Sequence, residues 1–318
     1  MSQDCVLAVD VGGTKMAAGV VDREARVLAS ERIATDRTAS ADALFLALED
    51  VCRRVLQRAQ TRVCGIGVGC GGPMEYPAGV VSPLNIPAWQ AFPLRQRLSE
   101  AFDLPCVVDN DAKALALGEH WQGAGRGSSN MLGMVVSTGV GGGIILGGRL
   151  VHGFSGNAGH VGHIIVWPGG PPCGCGAHGC IEGVASGTGL ARRLKTALAD
   201  GAQTRLNHAA SAADIAAAAR QGDPLAAELL RTAGEGVGRG IASAAALLDL
   251  ELVAIGGSIA LHAWDLLGPP LLAEVERSAR LDFTRDLRVL HAQLGDEAGL
   301  YGAARLAFDA ARGRGRQR

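Results

Sequence analysis

Two stretches of the sequence share one layout, and this internal repeat constrains the fold more than any other feature. Residues 9–21 read VDVGGTKMAAGVV and residues 136–146 read VSTGVGGGIIL. Each stretch runs from an apolar strand to a polar residue, then a glycine turn, then a second apolar strand. Alternating helix and strand patterns follow both of them. A supersecondary order that occurs twice predicts a duplicated α/β chain, with two similar domains facing each other across a cleft.

The length of 318 residues suffices for two domains of ordinary size, and a hydrophobic fraction of 48% can fill two cores. We place the division near residues 118–127. This gives an N-terminal α/β domain over residues 1–120 and a C-terminal α/β domain over residues 121–297. The last helical pattern, within residues 298–318, could pack back on the first domain.

The charge pattern argues against nucleic acid and membrane partners. The formal net charge is −1, which provides no general basic field, and no apolar run is long enough for a membrane helix. We interpret the basic tail RGRGRQR, residues 312–318, as a solvated extension. The first residues do not resemble a signal peptide, so we expect a cytoplasmic protein whose cysteines are reduced or bind metal.

The first glycine turn, DVGGTK at residues 10–15, has the composition of a phosphate-binding loop. Glycine lets a ligand approach the backbone closely, and successive N–H groups can surround phosphate oxygens. Thr14 adds a hydroxyl donor and Lys15 adds a cation. Asp10, at the strand end, could hold Mg²⁺ through water. Such a turn taken alone is more typical of an ordinary tight hairpin.

Two further glycine turns follow strands, STGVGGG at residues 137–143 and IGGSIA at residues 255–260. The second of them opens a helix, where backbone N–H groups favour an anion. Three glycine turns at strand ends of a duplicated α/β chain favour nucleotide binding in the cleft over tight turns alone.

The stretch VVDNDAKALA, residues 107–116, places Asn110 and Asp111 between a strand and a helix. Asn and Asp are preferred helix N-caps, which is one interpretation. Strand-to-helix junctions are also where α/β proteins bind ligands, and phosphoryl transfer to an alcohol needs a carboxylate that accepts the hydroxyl proton. Position alone favours neither interpretation.

The segment GHVGHIIVWPGGPPCGCGAHGCIEG, residues 159–183, has the spacing of a zinc site. Three thiolates and His163 would form a tetrahedral Cys₃His site, although His160 and His178 are also candidates for the fourth ligand. A closed site has no open position for water, so we expect a structural metal, which leaves Glu182 for another role. The three thiolates are those of Cys173, Cys175 and Cys180. We interpret the other cysteines as small buried hydrophobes, namely Cys5, Cys52, Cys64, Cys70 and Cys106.

Together these motifs resemble the ROK family of bacterial sugar kinases and repressors. DVGGTK, NDA, STGVGGG, the zinc segment and IGGSIA occur in the family's order, and the resemblance extends to GLYGAARLA at residues 299–307. It implies the actin-like ATPase fold, with two duplicated ribonuclease-H-like domains and ATP in the cleft between them. It further implies an ATP-dependent sugar kinase with Mg²⁺ and structural Zn²⁺, assembled as a homodimer or a dimer of dimers.

The resemblance also implies roles for individual residues. Asp111 corresponds to the general base that takes the proton of the sugar's terminal hydroxymethyl group. His163 corresponds to both a zinc ligand and a sugar contact, and His178 falls at a variable position. The first phosphate loop corresponds to Asp10, Gly12, Gly13, Thr14 and Lys15. The second phosphate loop corresponds to Thr138, Gly139 and Gly141, and the adenosine loop to Gly256 and Gly257. The sugar-binding positions correspond to Asn85, Asn110, Asp111, His160, His163 and Glu182. The zinc ligands correspond to His163, Cys173, Cys175 and Cys180.

One position departs from the family's pattern. The family's usual Gly-Glu-x-Gly-His has a glutamate where this chain has His160. A carboxylate only accepts hydrogen bonds, whereas a neutral imidazole accepts one and donates one. A glucokinase remains the first expectation. The alternatives are a kinase for N-acetylmannosamine, for an amino sugar such as kanosamine or for a C7-cyclitol, and a sugar-binding regulator without turnover. A zinc hydrolase is disfavoured because the metal site is closed.

Overall fold

The computed structural model describes the backbone of residues 5–315 and the side chains of residues 5–312. Of the basic tail, Arg312 is exposed, and the side chains of residues 313–318 lie outside the described part. The chain forms two compact units. Unit 1 comprises Met1–Gly127, Leu150–Ala158 and Gln293–Arg318, and unit 2 comprises Ser128–Arg149 and Gly159–Ala292. The sequence-based division at residue 120 assigned the short segment Leu150–Ala158 to the second domain. In the structure this segment belongs to unit 1.

Unit 1 contains a five-stranded sheet in the order β3-β2-β1-β4-β7. Its central strands are apolar and buried, while β3 alternates between half-buried and exposed residues because one of its faces meets solvent. The strands are β1 (Cys5–Val11), β2 (Lys15–Val21), β3 (Val27–Ala34), β4 (Val63–Cys70) and β7 (Cys106–Asn110), with a small ribbon of β5 (Met74–Glu75) and β6 (Val80–Val81). The helices are α1 (Ala41–Ala59), α2 (Leu94–Phe102), α3 (Asp111–Gln122) and α10 (Ala298–Gly315).

Unit 2 contains a second five-stranded sheet, in the order β10-β9-β8-β11-β12. The strands are β8 (Met131–Val136), β9 (Val140–Leu146), β10 (Arg149–Leu150), β11 (Leu252–Gly256) and β12 (Arg288–His291). The helices are α4 (Ile181–Ala185), α5 (Gly187–Ala199), α6 (Ala212–Arg220), α7 (Pro224–Leu248), α8 (Ser258–His262) and α9 (Trp264–Ser278). Most of its apolar core lies between this sheet and the helices α4 to α9.

The two sheets repeat one topology. In unit 1 the first strand, β1, pairs antiparallel with β2 and parallel with β4. In unit 2 the first strand, β8, pairs antiparallel with β9 and parallel with β11. In both sheets a parallel strand completes the other edge. The duplicated α/β fold expected from the sequence repeat is therefore confirmed.

Helix α10 packs on α3 and on the sheet of unit 1 through glycines that leave no room for a side chain. A methyl group added at Gly302 would lie 1.7 Å from the carbonyl oxygen of Ala114 on α3, and one added at Gly67 on β4 would lie 1.8 Å from that of Ala303. This close packing places Gly299, near the start of α10, against the carboxylate of Asp10. Within residues 5–315, no helix is both long enough and apolar enough to cross a membrane.

Candidate active site and metal centre

The first glycine turn is a closed hairpin between β1 and β2. The Gly12 N–H donates to the Lys15 carbonyl at 2.9 Å. Thr35, just after β3, supports the turn from outside, since its hydroxyl donates to the Gly12 carbonyl at 2.8 Å and its N–H donates to the Thr14 carbonyl at 3.0 Å. Gly13 has no room for a side chain, because an added methyl would lie 2.6 Å from Cβ of Asn85. The turn is thus fixed before any ligand binds.

Asp10 lies near the end of β1, paired with Ala17 on β2 and with Gly69 on β4. A methyl group added at Gly299 would lie 2.6 Å from its Cγ, so glycine is required there. Burial, followed by the charge of Asp111, raises the pKa of Asp10 to about 6, with a partial offset from Lys15. Two neighbouring, half-buried carboxyl groups are suited to a cation.

Lys15 pairs with a carboxylate from the far end of the chain. Its Nζ lies 2.7 Å from Oδ1 of Asp296, and Oδ2 of the same carboxylate lies 3.5 Å from Nη1 of Arg32. The hydrogen bond from Lys15 is the main cause that lowers the pKa of Asp296. The pairing holds the ammonium group beside the glycine turn. Asp296 was not predicted, because no local pattern connects it with residues 10–15.

The junction of β7 and α3 confirms the helix-capping interpretation of the NDA motif and leaves the catalytic interpretation of Asp111 a prediction. Asn110 is the N-cap, and its Oδ1 accepts from the Ala112 N–H at 3.0 Å. Asp111 is the first helical residue, and its Oδ1 accepts from the same N–H at 2.8 Å. Burial raises the pKa of Asp111 above its ordinary value of 3.8. Asn110 caps the helix, and Asp111 is a half-buried carboxylate whose basicity is increased.

Asn85, Asn110 and Asp111 converge on the turn that follows β4. A methyl group added at Gly71 would lie 3.6 Å from both Asn85 Oδ1 and Asp111 Oδ2, and one added at Gly72 would lie 3.7 Å from Asn110 Nδ2. Unit 1 therefore brings together two amides and one carboxylate, the groups that hydrogen-bond hydroxyl groups well. The glycines keep the space around them open.

In unit 2 the two remaining glycine turns meet. Gly257 has φ +95°, and a methyl group added there would lie 2.5 Å from the carbonyl oxygen of Val136 at the end of β8. The hydroxyl oxygens of Ser137 and Ser258 lie 2.9 Å apart. Thr188 donates its hydroxyl to the Thr138 carbonyl at 2.9 Å. The turns at residues 137–139 and 256–258 are thus in direct contact. Sequence reasoning did not single out Ser137, Thr188 or Ser258 as site residues.

Four side chains of the zinc segment converge. One donor atom from each of them lies within 4.8 Å of every other. Cys175 Sγ and Cys180 Sγ are 3.8 Å apart, and Cys173 Sγ is 3.7 Å from His163 Nδ1. A tetrahedral zinc ion with Zn–S bonds of about 2.3 Å requires sulfur atoms about 3.8 Å apart. The donor set and its spacing therefore fit Zn²⁺. The four side chains are those of His163, Cys173, Cys175 and Cys180.

The other candidates lie outside this set. His178 Nδ1 is 3.2 Å from the Gly170 carbonyl oxygen. The exposed His160 stacks on the ring of His163, with the centroids 6.2 Å apart and the planes at 19°. The expectation that the five scattered cysteines are buried is wrong for Cys64, which is exposed on β4.

Glu182 lies between the metal cluster and the second glycine turn. It is the second residue of α4, and its Oε2 accepts from the Val140 N–H at 3.0 Å. Its Oε1 lies 3.8 Å from Cys173 Sγ. A methyl group added at Gly139 would lie 2.8 Å from Oε2, so glycine is needed for this approach. The carboxylate is positioned within unit 2 by contacts on both sides.

Comparison with known proteins agrees with the motifs. The model of the ROK family matches residues 6–310. The chain is 36% identical to a glucokinase of Streptomyces coelicolor over 95% of this chain and 96% of that protein. It is 38% identical to an N-acetylmannosamine kinase of Yersinia pseudotuberculosis over 80% and 83% of the two chains.

Solved structures resemble it closely. A ROK hexokinase from Thermus thermophilus superposes with a TM-score of 0.87 at 37% identity, covering 97% of this chain and 99% of that one. A ROK family glucokinase from Streptomyces griseus, in complex with glucose and AMPPNP, superposes with a TM-score of 0.73 at 36% identity, covering 96% and 99%. With the family model matching nearly the whole chain, this protein belongs to the ROK family.

Proposed function

We propose that the protein is an ATP-dependent sugar kinase that phosphorylates the terminal hydroxymethyl group of a hexose, with glucose as the first candidate. The observation that carries this proposal is the half-buried Asp111 carboxylate at the start of α3, which faces the same glycine turn, residues 71–72, as the amides of Asn85 and Asn110. Similarity to proteins named glucokinase over nearly the whole chain supports it.

Asp111 would act as the general base. Its raised pKa makes the carboxylate a better proton acceptor. Asn85 and Asn110 would hydrogen-bond sugar hydroxyls and hold the reacting oxygen near Asp111. The oxygen then attacks the γ-phosphorus of ATP as the proton passes to the carboxylate, and ADP leaves.

The glycine turns would bind the nucleotide. Gly12, Gly13, Thr14 and Lys15 would contact phosphates from unit 1, and Thr138, Gly139 and Gly141 would do so from unit 2. Gly256 and Gly257 would contact the adenosine. Mg²⁺ would neutralise phosphate charge, with Asp10 as its protein partner through water.

Zinc, held by the Cys₃His set, would have a structural role. His163 directs Nδ1 to the thiolates. Its Nε2 would therefore remain for a sugar hydroxyl, and binding to the metal through Nδ1 would fix the orientation of the ring. Glu182, within 3.8 Å of Cys173 Sγ, would hold a second sugar hydroxyl in a position that depends on the same loop.

His160 would decide which sugar is preferred. It stacks on His163 and so lies beside a residue assigned to the sugar. An imidazole at this position favours a substrate with a different acceptor and donor pattern from that of glucose. N-acetylmannosamine, an amino sugar such as kanosamine and a C7-cyclitol are the alternatives. The similarity to an N-acetylmannosamine kinase favours the first of these.

A sugar-binding regulator is the second candidate function. It would need neither a base nor an organised phosphate loop. The hydrogen bonds that fix the turn at residues 10–15 and the raised pKa of Asp111 favour turnover.

We further propose a cytoplasmic homodimer or dimer of dimers. The eight free cysteines are consistent with a reducing compartment.

A coupled assay of ADP release over hexoses, N-acetylhexosamines, amino sugars and cyclitols tests the function. One class should give saturable turnover with ATP and Mg²⁺, and mass spectrometry should find one added phosphate. Binding of a sugar by calorimetry without ADP release from any compound would instead identify a regulator. If glucose ranks far below an N-acetylated or amino sugar, the proposed substrate changes from glucose to that sugar.

A further inference from the structure

A buried ion pair lies directly beside Asn110 and Asp111 and has no part in the chemistry above. Asp109, on β7, has no exposed surface, and Lys113, on α3, is only 1% exposed. Lys113 Nζ lies 3.2 Å from Asp109 Oδ1. Removing two charges from water costs free energy that their attraction seldom exceeds, so apolar residues of similar size usually stabilise a fold at least as well. A role in stability alone therefore explains this pair poorly.

The pair reaches two different parts of the chain. Asp109 Oδ1 accepts from the Asn110 N–H at 2.8 Å, next to the start of α3. Lys113 Nζ donates to the carbonyl of Gly156. His152 Nδ1 lies 3.0 Å from Asp109 Oδ2, although the two atoms are not aligned for a hydrogen bond. Both Gly156 and His152 belong to the segment Leu150–Ala158, which packs in unit 1.

This segment has little regular structure to define its path. Beyond Leu150, the last residue of β10, it contains no helix or strand. The His152 ring stacks on Tyr76 with centroids 4.9 Å apart and planes at 18°. Gly156 has φ +80°, and a methyl group added there would lie 2.3 Å from Tyr76 Cβ. The contacts with the ion pair and with Tyr76 therefore specify its conformation.

We propose that Asp109 and Lys113 are positioning residues that fasten the segment Leu150–Ala158 to the start of α3, and so orient Asp111 for proton transfer and set the path of the chain into His160. The sequence runs from Ala158 through Gly159 directly to His160. The catalytic half of this inference rests on the proposed function, whereas the fastening of the segment does not.

The test uses the full chain with three variants. Asp109→Asn with Lys113→Met replaces the pair by neutral groups of similar size, and His152→Ala removes the half-buried contact alone. Lys195→Met, at an exposed lysine on α5, is the matched control. Hydrogen exchange is measured on peptides covering residues 150–158 and, as an internal reference, α1. Turnover is measured with the preferred sugar.

In the double variant, exchange over residues 150–158 should accelerate at least about tenfold while α1 is unchanged, because the segment loses its anchors. Its kcat should fall roughly 10- to 100-fold with the KM for ATP unchanged, because a small misplacement of a catalytic group has this effect. His152→Ala should shift both quantities less, in the same direction, and Lys195→Met should shift neither.

Wild-type exchange over residues 150–158 in both the double variant and His152→Ala would overturn the fastening, whatever the enzyme does. Faster exchange with wild-type kcat and sugar KM would overturn the positioning role. If the unmodified protein phosphorylates none of the compounds while the variants exchange faster, the proposed kinase activity fails and the fastening stands. Should the double variant not fold, His152→Ala decides by the same two measurements.

Discussion

Asp111 combines two properties that a catalytic base needs. It is the first residue of α3, where its Oδ1 accepts the Ala112 N–H, and burial raises its pKa. Fixed geometry aims the carboxylate, and the raised pKa strengthens its affinity for a proton. The neighbouring Asn110 takes over the capping role, which leaves the second oxygen of Asp111 facing Gly71.

We expect Asp111→Asn to lower kcat about 10³-fold, since an amide cannot accept the proton. Sugar binding, measured by calorimetry, should change little, because the amide has nearly the same shape. In the unmodified protein, activity should decline on acidification at a pH above the ordinary carboxyl value of 3.8, because the base must be ionised. Near-normal turnover in Asp111→Asn would contradict the assignment.

Asp10 should destabilise the ligand-free fold at neutral pH. Its pKa is about 6 in the folded protein, whereas the ordinary pKa of this carboxyl group is 3.8. The folded state therefore binds the proton more tightly, so the cost is fully present above about pH 6 and vanishes below about pH 4. Asp10→Asn should raise the free energy of unfolding at pH 7 by on the order of 2 to 3 kcal/mol.

Denaturant unfolding at pH 7 and pH 4, with no nucleotide or Mg²⁺ added, measures this effect of Asp10→Asn. The gain should shrink at the lower pH. The same variant should lose much of its activity, a common exchange of stability for function. An equal change in stability at both pH values would show that titration of Asp10 is not its cause.

His160→Glu should shift substrate preference toward glucose. A glutamate restores the family's usual acceptor at this position, whereas the imidazole offers one donor and one acceptor. Ratios of kcat/KM for glucose and for the best alternative sugar provide the measurement. His178→Glu is the matched control, because His178 contacts the Gly170 carbonyl and lies outside the metal set. An unchanged ratio in His160→Glu would show that His160 does not contact the sugar.

The zinc segment, residues 159–183, has little regular secondary structure for its length. Only a three-residue 3₁₀ turn, Val161–His163, precedes the cysteines, and α4 begins directly after Cys180. Burial raises the pKa of Cys180 to about 12, so a nearby cation is needed to favour its thiolate at neutral pH. Zinc would supply that charge and fix the loop together with Glu182.

Cys175→Ser should abolish stoichiometric zinc, lower the melting temperature and weaken sugar binding together. The loss of one of four ligands opens the site, and the energy of metal binding contributes directly to folding. Metal content by mass spectrometry, thermal unfolding and calorimetry provide the three measurements. Cys64→Ser, at an exposed cysteine on β4, should change none of them. Full zinc content with full activity in Cys175→Ser would rule out the structural role.

Long, strongly periodic elements were predictable from sequence, and short ones were not. Residues 41–59 carry apolar side chains at helical spacing, which predicts a helix, and they form α1 with Ser40 as its N-cap. Helices α4 and α8 have five residues each, too few to show a period. The ligand spacing of the zinc loop was readable because all four donors lie in one local segment. The pairs of Lys15 with Asp296 and of Asp109 with His152 could not be predicted from sequence, because each pair joins distant parts of the chain.

Taken as a whole, the chain passes between its compact units at four points. Helix α3 holds the returning segments within unit 1. Lys113 contacts the segment Leu150–Ala158, and the buried Glu119 accepts the N–H groups of Gln293 and Leu294 at 3.0 and 2.8 Å. Helix α3 therefore also fixes the segments that return to unit 1. We expect the stability of unit 1 to depend on how α3 packs against α10.

Gly302→Ala should destabilise unit 1 by about 3 kcal/mol, the upper part of the usual range for overpacking, since the methyl group would meet the α3 backbone. Equilibrium unfolding in urea measures this loss. Gly187→Ala is the matched control, because its methyl group would have 3.5 Å to the nearest atom. A loss below about 1 kcal/mol in Gly302→Ala would show that α10 can shift away from α3 at little cost.

The two units differ in the length of one connection, the one that follows the third strand of each sheet. In unit 1 the third strand ends at Ala34 and the next helix, α1, begins at Ala41. In unit 2 the third strand ends at Leu150 and the first long helix, α5, begins only at Gly187. The longer connection in unit 2 contains the segment Leu150–Ala158, the proposed sugar-binding residues His160, His163 and Glu182, and the cysteines of the candidate zinc site. Because three of the proposed sugar-binding residues lie in this one connection, we expect that replacing it as a unit changes which sugar is preferred, while both sheets and all three glycine turns keep their structure.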